Sequence, residues 1–251
     1  MRCQLHPGPV ASAAFALGLL LAAGLACAQI PGTPVPGSTL KVPDISGIWE
    51  RVGGIRFSPT NQLPPFAPAF AAKYQANEVA RARGDVVADP TSRCLPPGMP
   101  RIMVASYPLE ILQTPGQVTI IAEWSSQVRR IFTDGRGHPP EDELDDTFNG
   151  HSTGHWQGQT LLVDTVGIRG DTSFDASPLQ HSDKMHVTEK IRLAKPGLIE
   201  DEITVIDPVA FTQPWVVTRQ YKKAGPDQQI LEYVCEENNR EIILPRQTAK
   251  P

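Results

Sequence analysis

Apolar residues recur along this chain in short runs broken by Gly- and Pro-containing separators. The runs are Ile45 to Arg51, Leu109 to Gln113, Val118 to Trp124, Val128 to Thr133, His186 to Leu193, Ile199 to Ile206, Trp215 to Lys222 and Ile230 to Glu236. Between successive runs lie Pro115-Gly116, Asp134-Gly135, Pro196-Gly197 and Gly225-Pro226-Asp227. Gly supplies positive φ and Pro presets φ, so these pairs punctuate strands with tight turns. The stretch Phe148 to Val166 reads as a further hairpin, with a polar first arm, a Gln157-Gly158 turn and an apolar return arm. The pattern predicts a mainly β fold, an antiparallel up-and-down barrel of about eight to ten strands, because closure removes exposed edges. A barrel of that size can hold one small ligand in its mouth or interior.

One segment has helical character. Pro68 suits a first helical position, Phe70 and Tyr74 share a face four residues apart, and Gly84 ends the run begun at Pro68 and closed at Arg83. This single N-terminal helix is expected against the sheet or across one barrel end. Residues 85–101 read as a long loop around Cys94-Leu95-Pro96-Pro97-Gly98.

The ends suggest export. Arg2, an apolar run from Val10 to Ala26 and Ala26-Cys27-Ala28 describe a cleaved secretory signal over residues 1–28, and a location in the periplasm or outside the cell. A lipoprotein site at Cys27 is the rival reading, which Gly24 three residues before it fits poorly. Residues 29–44 form a Pro/Gly-rich linker, 45–240 the β-barrel domain and 241–251 a tail. No later segment is apolar and long enough to predict a membrane span. Lys and Arg number 23 against 27 Asp and Glu, a net charge of −4, which gives no reason to expect a nucleic acid or an anionic membrane as partner. Cys3 and Cys27 leave with the signal, so Cys94 and Cys235 remain as a pair for a disulfide in an oxidising compartment. No cofactor is expected, since no glycine-rich phosphate loop precedes a helix.

Candidate chemistry follows from strand register. Pairing Trp156 with Gln159 sets His155 opposite Thr160 and His151 opposite Asp164, an acid–base unit in which the carboxylate fixes the imidazole tautomer. A partly exposed structural His–Asp pair reads equally well from the same letters. A turn at Pro196-Gly197 pairs Arg192 with Asp201 and His186 with Asp207, and leaves Glu189 and Glu202 on the apolar face, Glu189 as an edge-of-core carboxylate reaching solvent. A turn at Pro115-Gly116 puts Glu110 and Glu123 on one face as diagonal neighbours, with Arg129 or Arg130 to pair with them or with all four in a solvated charge ladder. Gly150-His151-Ser152-Thr153-Gly154 spells a nucleophile elbow, but lacks the apolar strand before and the helix after that the elbow needs. On a strand, His151 and His155 stand roughly 13 Å apart, so no metal is expected. Arg136 and His138 could rim a barrel mouth, and Trp49, Trp124, Trp156 and Trp215 read as core residues, one or two of them free to line a pocket.

Gly47-Ile48-Trp49 resembles the Gly-x-Trp that opens lipocalin-type barrels. From Cys94 through Asn239 the chain resembles a family of secreted, β-rich bacterial proteins of undetermined activity. The runs that carry the resemblance are Thr133-Asp134-Gly135-Arg136-x-His138-Pro139, Gly150-His151-Ser152-x-Gly154-x-Trp156, Val163-Asp164-Thr165 and Glu232-Tyr233-Val234-Cys235. It implies a lipocalin-like barrel and supplies no reaction.

Two functions are compatible with this reading. One is a cofactor-independent lyase, dehydratase or isomerase for a small hydrophobic or aromatic compound. Its catalytic residues would be His151, Asp164 and Glu123, and its substrate contacts Glu110, Arg130, His155, Trp156 and His186. The other is a non-catalytic periplasmic carrier, which would show an apolar pocket with these polar groups outside it. No feature of the sequence speaks to oligomeric state.

Overall fold

The computed structural model describes residues 42–85, 89–177 and 179–235. The expected signal, most of the linker and the C-terminal tail lie outside the described residues. Nine strands close into a barrel in chain order. They are β1 (Gly47–Arg51), β2 (Leu109–Thr114), β3 (Gln117–Ala122), β4 (Gln127–Phe132), β5 (His151–Gln157), β6 (Thr160–Val166), β7 (His186–Lys195), β8 (Leu198–Ile206) and β9 (Trp215–Lys223). One helix, α1 (Pro68–Ala82), opens on a proline as its sequence predicts. No helix among the described residues is long and apolar enough to cross a membrane.

The sheet is mixed, which corrects the expectation of a purely antiparallel barrel. β1 through β4 and β5 through β9 pair antiparallel, as do β9 and β1, but β4 and β5 run parallel at Ile131↔Ser152 and Phe132↔Thr153. The reason is parity. A closed ring of nine strands cannot alternate direction at every junction, so one junction must be parallel. A parallel junction needs a longer return connection than a hairpin, and residues 133–150 supply it, carrying His138.

Register follows turn chemistry. The Pro115-Gly116 hairpin pairs Thr114 with Gln117 and Glu110 with Ile121, as its turn predicts. The β5–β6 hairpin turns instead through Gly158-Gln159, pairing Gln157 with Thr160 and His151 with Val166. Gly158 has φ 61 at the first turn position, the place that a type II′ turn reserves for glycine. His151 and Asp164 are therefore diagonal neighbours and not opposed. The β7–β8 hairpin turns at Pro196-Gly197, but an irregularity between Leu193 and Lys195 shifts the ladder by one residue. Arg192 consequently meets Glu200, His186 meets Ile206, and Asp201 replaces Glu202 on the inner face. Such a slip exchanges faces. Ile230 to Glu236, expected as a strand, forms none over its described residues, because β9 closes onto β1 and leaves no edge. It is held by Leu231 N–H donating to Glu123 Oε2 and by a Cys94–Cys235 disulfide with Cα atoms 5.6 Å apart.

The barrel is filled. Trp49, Trp215, Tyr221 and aliphatic side chains pack inward, and Phe57, tilted, with Phe174 and Phe211, edge-on, pack against Trp215. Among them lie charges. Arg129 is buried and donates to both carboxylate oxygens of Glu189, which is equally buried. It also donates to Ser152 Oγ at 3.3 Å and Thr165 Oγ1 at 3.0 Å. Glu189 is thus an internal ion-pair partner, not a carboxylate reaching solvent. A charge taken out of water persists only with such compensation. Burial disfavours the guanidinium, yet the Glu189 carboxylate beside it raises the Arg129 pKa above its ordinary value. Arg219 is spent on the carbonyls of Gly54 and Arg56. Helix α1 lies against this core through Phe70 and Tyr74, with Phe66 bridging to Phe211 just before it.

Candidate functional site

Alternation along β5, β6 and β7 builds one polar field on the outside of the barrel. Side chains of successive strand residues point to opposite faces, so burying Ser152, Leu161, Val163, Thr165, Val187 and Glu189 leaves His151, Thr153, His155, Asp164, His186 and Thr188 facing outward. The registers then fix rows across the strands. Thr153, Asp164 and Thr188 form one row, beginning at Phe132 on β4. One step along, the same registers set Arg130, His151, Val166 and His186 side by side. Strands lie about 4.8 Å apart, so the two histidines stand roughly 10 Å apart at Cα, one strand either side of Asp164.

The loop from β4 to β5 lays a third imidazole over these rows. His138 Nδ1 lies 2.8 Å from His151 Nδ1, and His138 Nε2 lies 3.3 Å from Thr153 Oγ1 and 3.7 Å from Asp164 Oδ2. His186 Nε2 donates to Asp164 Oδ1. Arg136 pins the loop, its guanidinium 4.1 Å over the Phe132 ring and paired with Asp134, and Phe132 packs 5.4 Å from His151. A hydrogen bond between two Nδ1 atoms needs one to be a bare lone pair, so the His138–His151 contact forms only with at least one ring neutral.

The environments pull the two ends of this cluster apart. Burial first, and then the electrostatic influence of His138 and of the Arg136 guanidinium, push the His151 pKa below its ordinary value. The hydrogen bond to Asp164 holds that of His186 above it. Asp164 is pushed down in turn, chiefly by its hydrogen bond with His186. Near neutrality, this favours a neutral imidazole at one end and a protonated one at the other. Paired groups with diverging pKa values are the usual mark of a base and an acid.

Two depressions flank the cluster. One, of about 350 Å³, is lined by Arg130, Phe132, Phe148, Asn149 and His151. The other, of about 470 Å³, is lined by Arg136, Thr153, His155, Leu162, Asp164 and Lys190. Arg130 is exposed and makes no ion pair among the described residues.

Of the residues proposed from sequence, His151, Asp164, His186, Arg130 and His155 come together here, His155 exposed and opposite Leu162. Trp156 turns inward and packs on the core. Glu110 lies on β2, three strands from β5 around the ring. Glu123 sits in the turn after β3, committed to Leu231 N–H. Among the described residues, neither glutamate meets the histidines or pairs with an arginine. Ser152, the would-be elbow nucleophile, is buried with its hydroxyl between Arg129 and Thr165. His138 is the residue that strand reasoning left at a barrel mouth. Its signal was the rigid Gly137-His138-Pro139-Pro140 run in the connection that leads to the His151 strand. Among the described residues, no group of three or more His, Cys, Asp or Glu side chains is arranged to hold a metal ion. No protein-family model matches the chain, and no curated relative does either.

Proposed function

We propose that this protein is an exported enzyme that moves protons on a small hydrophobic or aromatic compound carrying an anionic group, as a lyase, dehydratase or isomerase does. The observation that carries the reading is the imidazole pair His138–His151 at 2.8 Å, with Asp164 beneath it and Arg130 beside it. His151, held neutral, is the general base. His138 accepts or relays the charge that forms, with Asp164 nearby to stabilise it, and protonated His186 is the acid across the row. Arg130 holds the anionic group of the substrate, while Phe132 and Phe148 supply the apolar wall. These side chains provide the proton transfers without a cofactor. The carrier alternative placed these polar groups outside the barrel, where they are, but it also needs an apolar interior, and Trp49, Trp215, Tyr221, Arg129 and Glu189 occupy that space.

The test uses proton exchange, which reports on a base before any product is known. A panel of small aromatic and aliphatic carboxylic acids in D2O, followed by proton NMR, reads loss of acidic C–H signal. The wild type should catalyse exchange on at least one member, His151→Gln should lose it by about a hundredfold or more, and Arg130→Gln should raise KM more than it lowers kcat. Exchange on an identified substrate that survives in His151→Gln refutes the assignment.

A further inference from the structure

A second cleft, separate from the histidine field, carries a charge opposite to that of the chain. It encloses about 450 Å³ between α1, the 3-10 turn Pro90–Arg93 and residues 170–173, 176–177 and 179–181. Lys73, Arg81 and Arg93 line it. Lys73 and Arg93 have no ion-pair partner among the described residues, and Arg81 reaches only Glu78, at 3.8 Å. Both aspartates of the lining are already neutralised. Asp89 receives two hydrogen bonds from Arg101, at 2.7 and 2.9 Å, and Asp171 is bound by Arg169. The five cations and three carboxylates just named leave an excess of two positive charges, in a chain whose net charge is −4.

The floor of the cleft is polar but uncharged. His181 is buried, and the Ser182 carbonyl 2.8 Å from its Nδ1 requires the proton there, which leaves Nε2 to accept from the Thr172 hydroxyl at 2.8 Å. Ser173 Oγ accepts from Arg101 at 2.9 Å, and its own proton has no acceptor among the described residues. Unpaired cations around a neutral floor, with a spare hydroxyl donor, make a receptor for an oxyanion.

We propose that this cleft binds a small oxyanion, a carboxylate or phosphate group, gripped by Lys73 and Arg93 with Arg81 at the edge and Ser173 donating from the floor. The argument is independent of the acid–base reading and stands or falls separately.

The experiment titrates inorganic phosphate and, separately, succinate into the isotope-labelled full protein at low ionic strength, with sodium chloride as the screening control. Backbone amides of residues 170–173 and 179–181 are followed by NMR. Saturable shifts with either probe support the proposal, and the stronger probe identifies the preferred headgroup. The double variant Lys73→Gln/Arg93→Gln changes two exposed side chains that the fold does not use, and should weaken binding by about tenfold or more. His151→Gln should bind as the wild type does, which separates this site from the histidine cluster. Shifts that fail to saturate, that chloride reproduces, or that persist unchanged in the double variant overturn it.

Discussion

Asp201 offers the sharpest test of the electrostatics inside the barrel. It is completely buried, stands opposite Arg219 in the β8–β9 register, and neither carboxylate oxygen has a hydrogen-bond partner among the described residues. Burial first, and the neighbouring Glu189 carboxylate second, push its pKa well above the ordinary carboxylate value. The sign of the consequence follows from proton counting. An unfolded aspartate ionises near pH 4, while the folded one keeps its proton to a higher pH. Between those values the native state holds one proton more than the unfolded chain, so stability falls as pH rises, by about 1.4 kcal/mol per pH unit. Asp201→Asn resembles the protonated acid in shape and does not titrate. Its stability relative to wild type should therefore start near a constant offset at about pH 4.5 and climb by about 1.4 kcal/mol per unit until the folded pKa is passed. Urea unfolding read by tryptophan fluorescence at several pH values measures this difference, and groups common to both proteins cancel from it. A difference that stays flat, or that shrinks with rising pH, refutes the claim that Asp201 is held protonated.

Other outcomes follow from the same geometry. The pH–rate profile should be bell-shaped around pH 6.5, because His151 must be neutral on the acid side and His186 charged on the alkaline side, with their pKa values moved down and up from that value. Asp164→Asn should lower the His186 pKa in an NMR titration, whereas a purely packing role for Asp164 would leave it in place. Glu189→Gln should cost roughly 3–5 kcal/mol in denaturant unfolding, since it strands the buried Arg129 charge. Replacing Arg129 and Glu189 together by Met and Leu should recover most of that loss. Cys94→Ser should cost roughly 2–5 kcal/mol, as the bond it removes joins residues 141 apart.

How much of this was legible depended on whether the determining force was local. Strand positions were, because alternation and Gly/Pro turns are written into each run. The β2–β3 register was too, since Pro115-Gly116 leaves one sensible turn. The β5–β6 register slipped because type II′ geometry takes glycine first, and Gln157-Gly158-Gln159 accommodates either choice. Glu202 exchanged places with Asp201 because an irregularity at Leu193/Lys195 shifts β8 by one residue, and nothing in Arg192-Leu193-Ala194-Lys195 announces it. Glu189 keeps the apolar face that alternation gives it, but the partner that holds it there, Arg129, comes from β4, three strands away in the ring. The run Leu231-Glu232-Tyr233-Val234-Cys235 alternates like a strand and pairs with none, because strand pairing belongs to the ring and not to the segment. The site divided in the same way. His151, Asp164 and Arg130 lie on adjacent strands whose faces alternation reveals. Glu123 and His138 lie in connections, where position is set by the rest of the fold.

The parallel junction has a mechanical consequence. Eight seams of the ring are antiparallel ladders, and the ninth holds β4 to β5 by two residue pairs. Fluctuations of a closed hoop concentrate at its thinnest weld, and His151 sits one residue from that weld. Inside the hoop, Arg129 starts on β4 and fastens to Ser152 on β5, Thr165 on β6 and Glu189 on β7. The buried guanidinium is thus a rivet across the weakest seam. The charge that looks like a burden on the core is what keeps the histidine strand in its place.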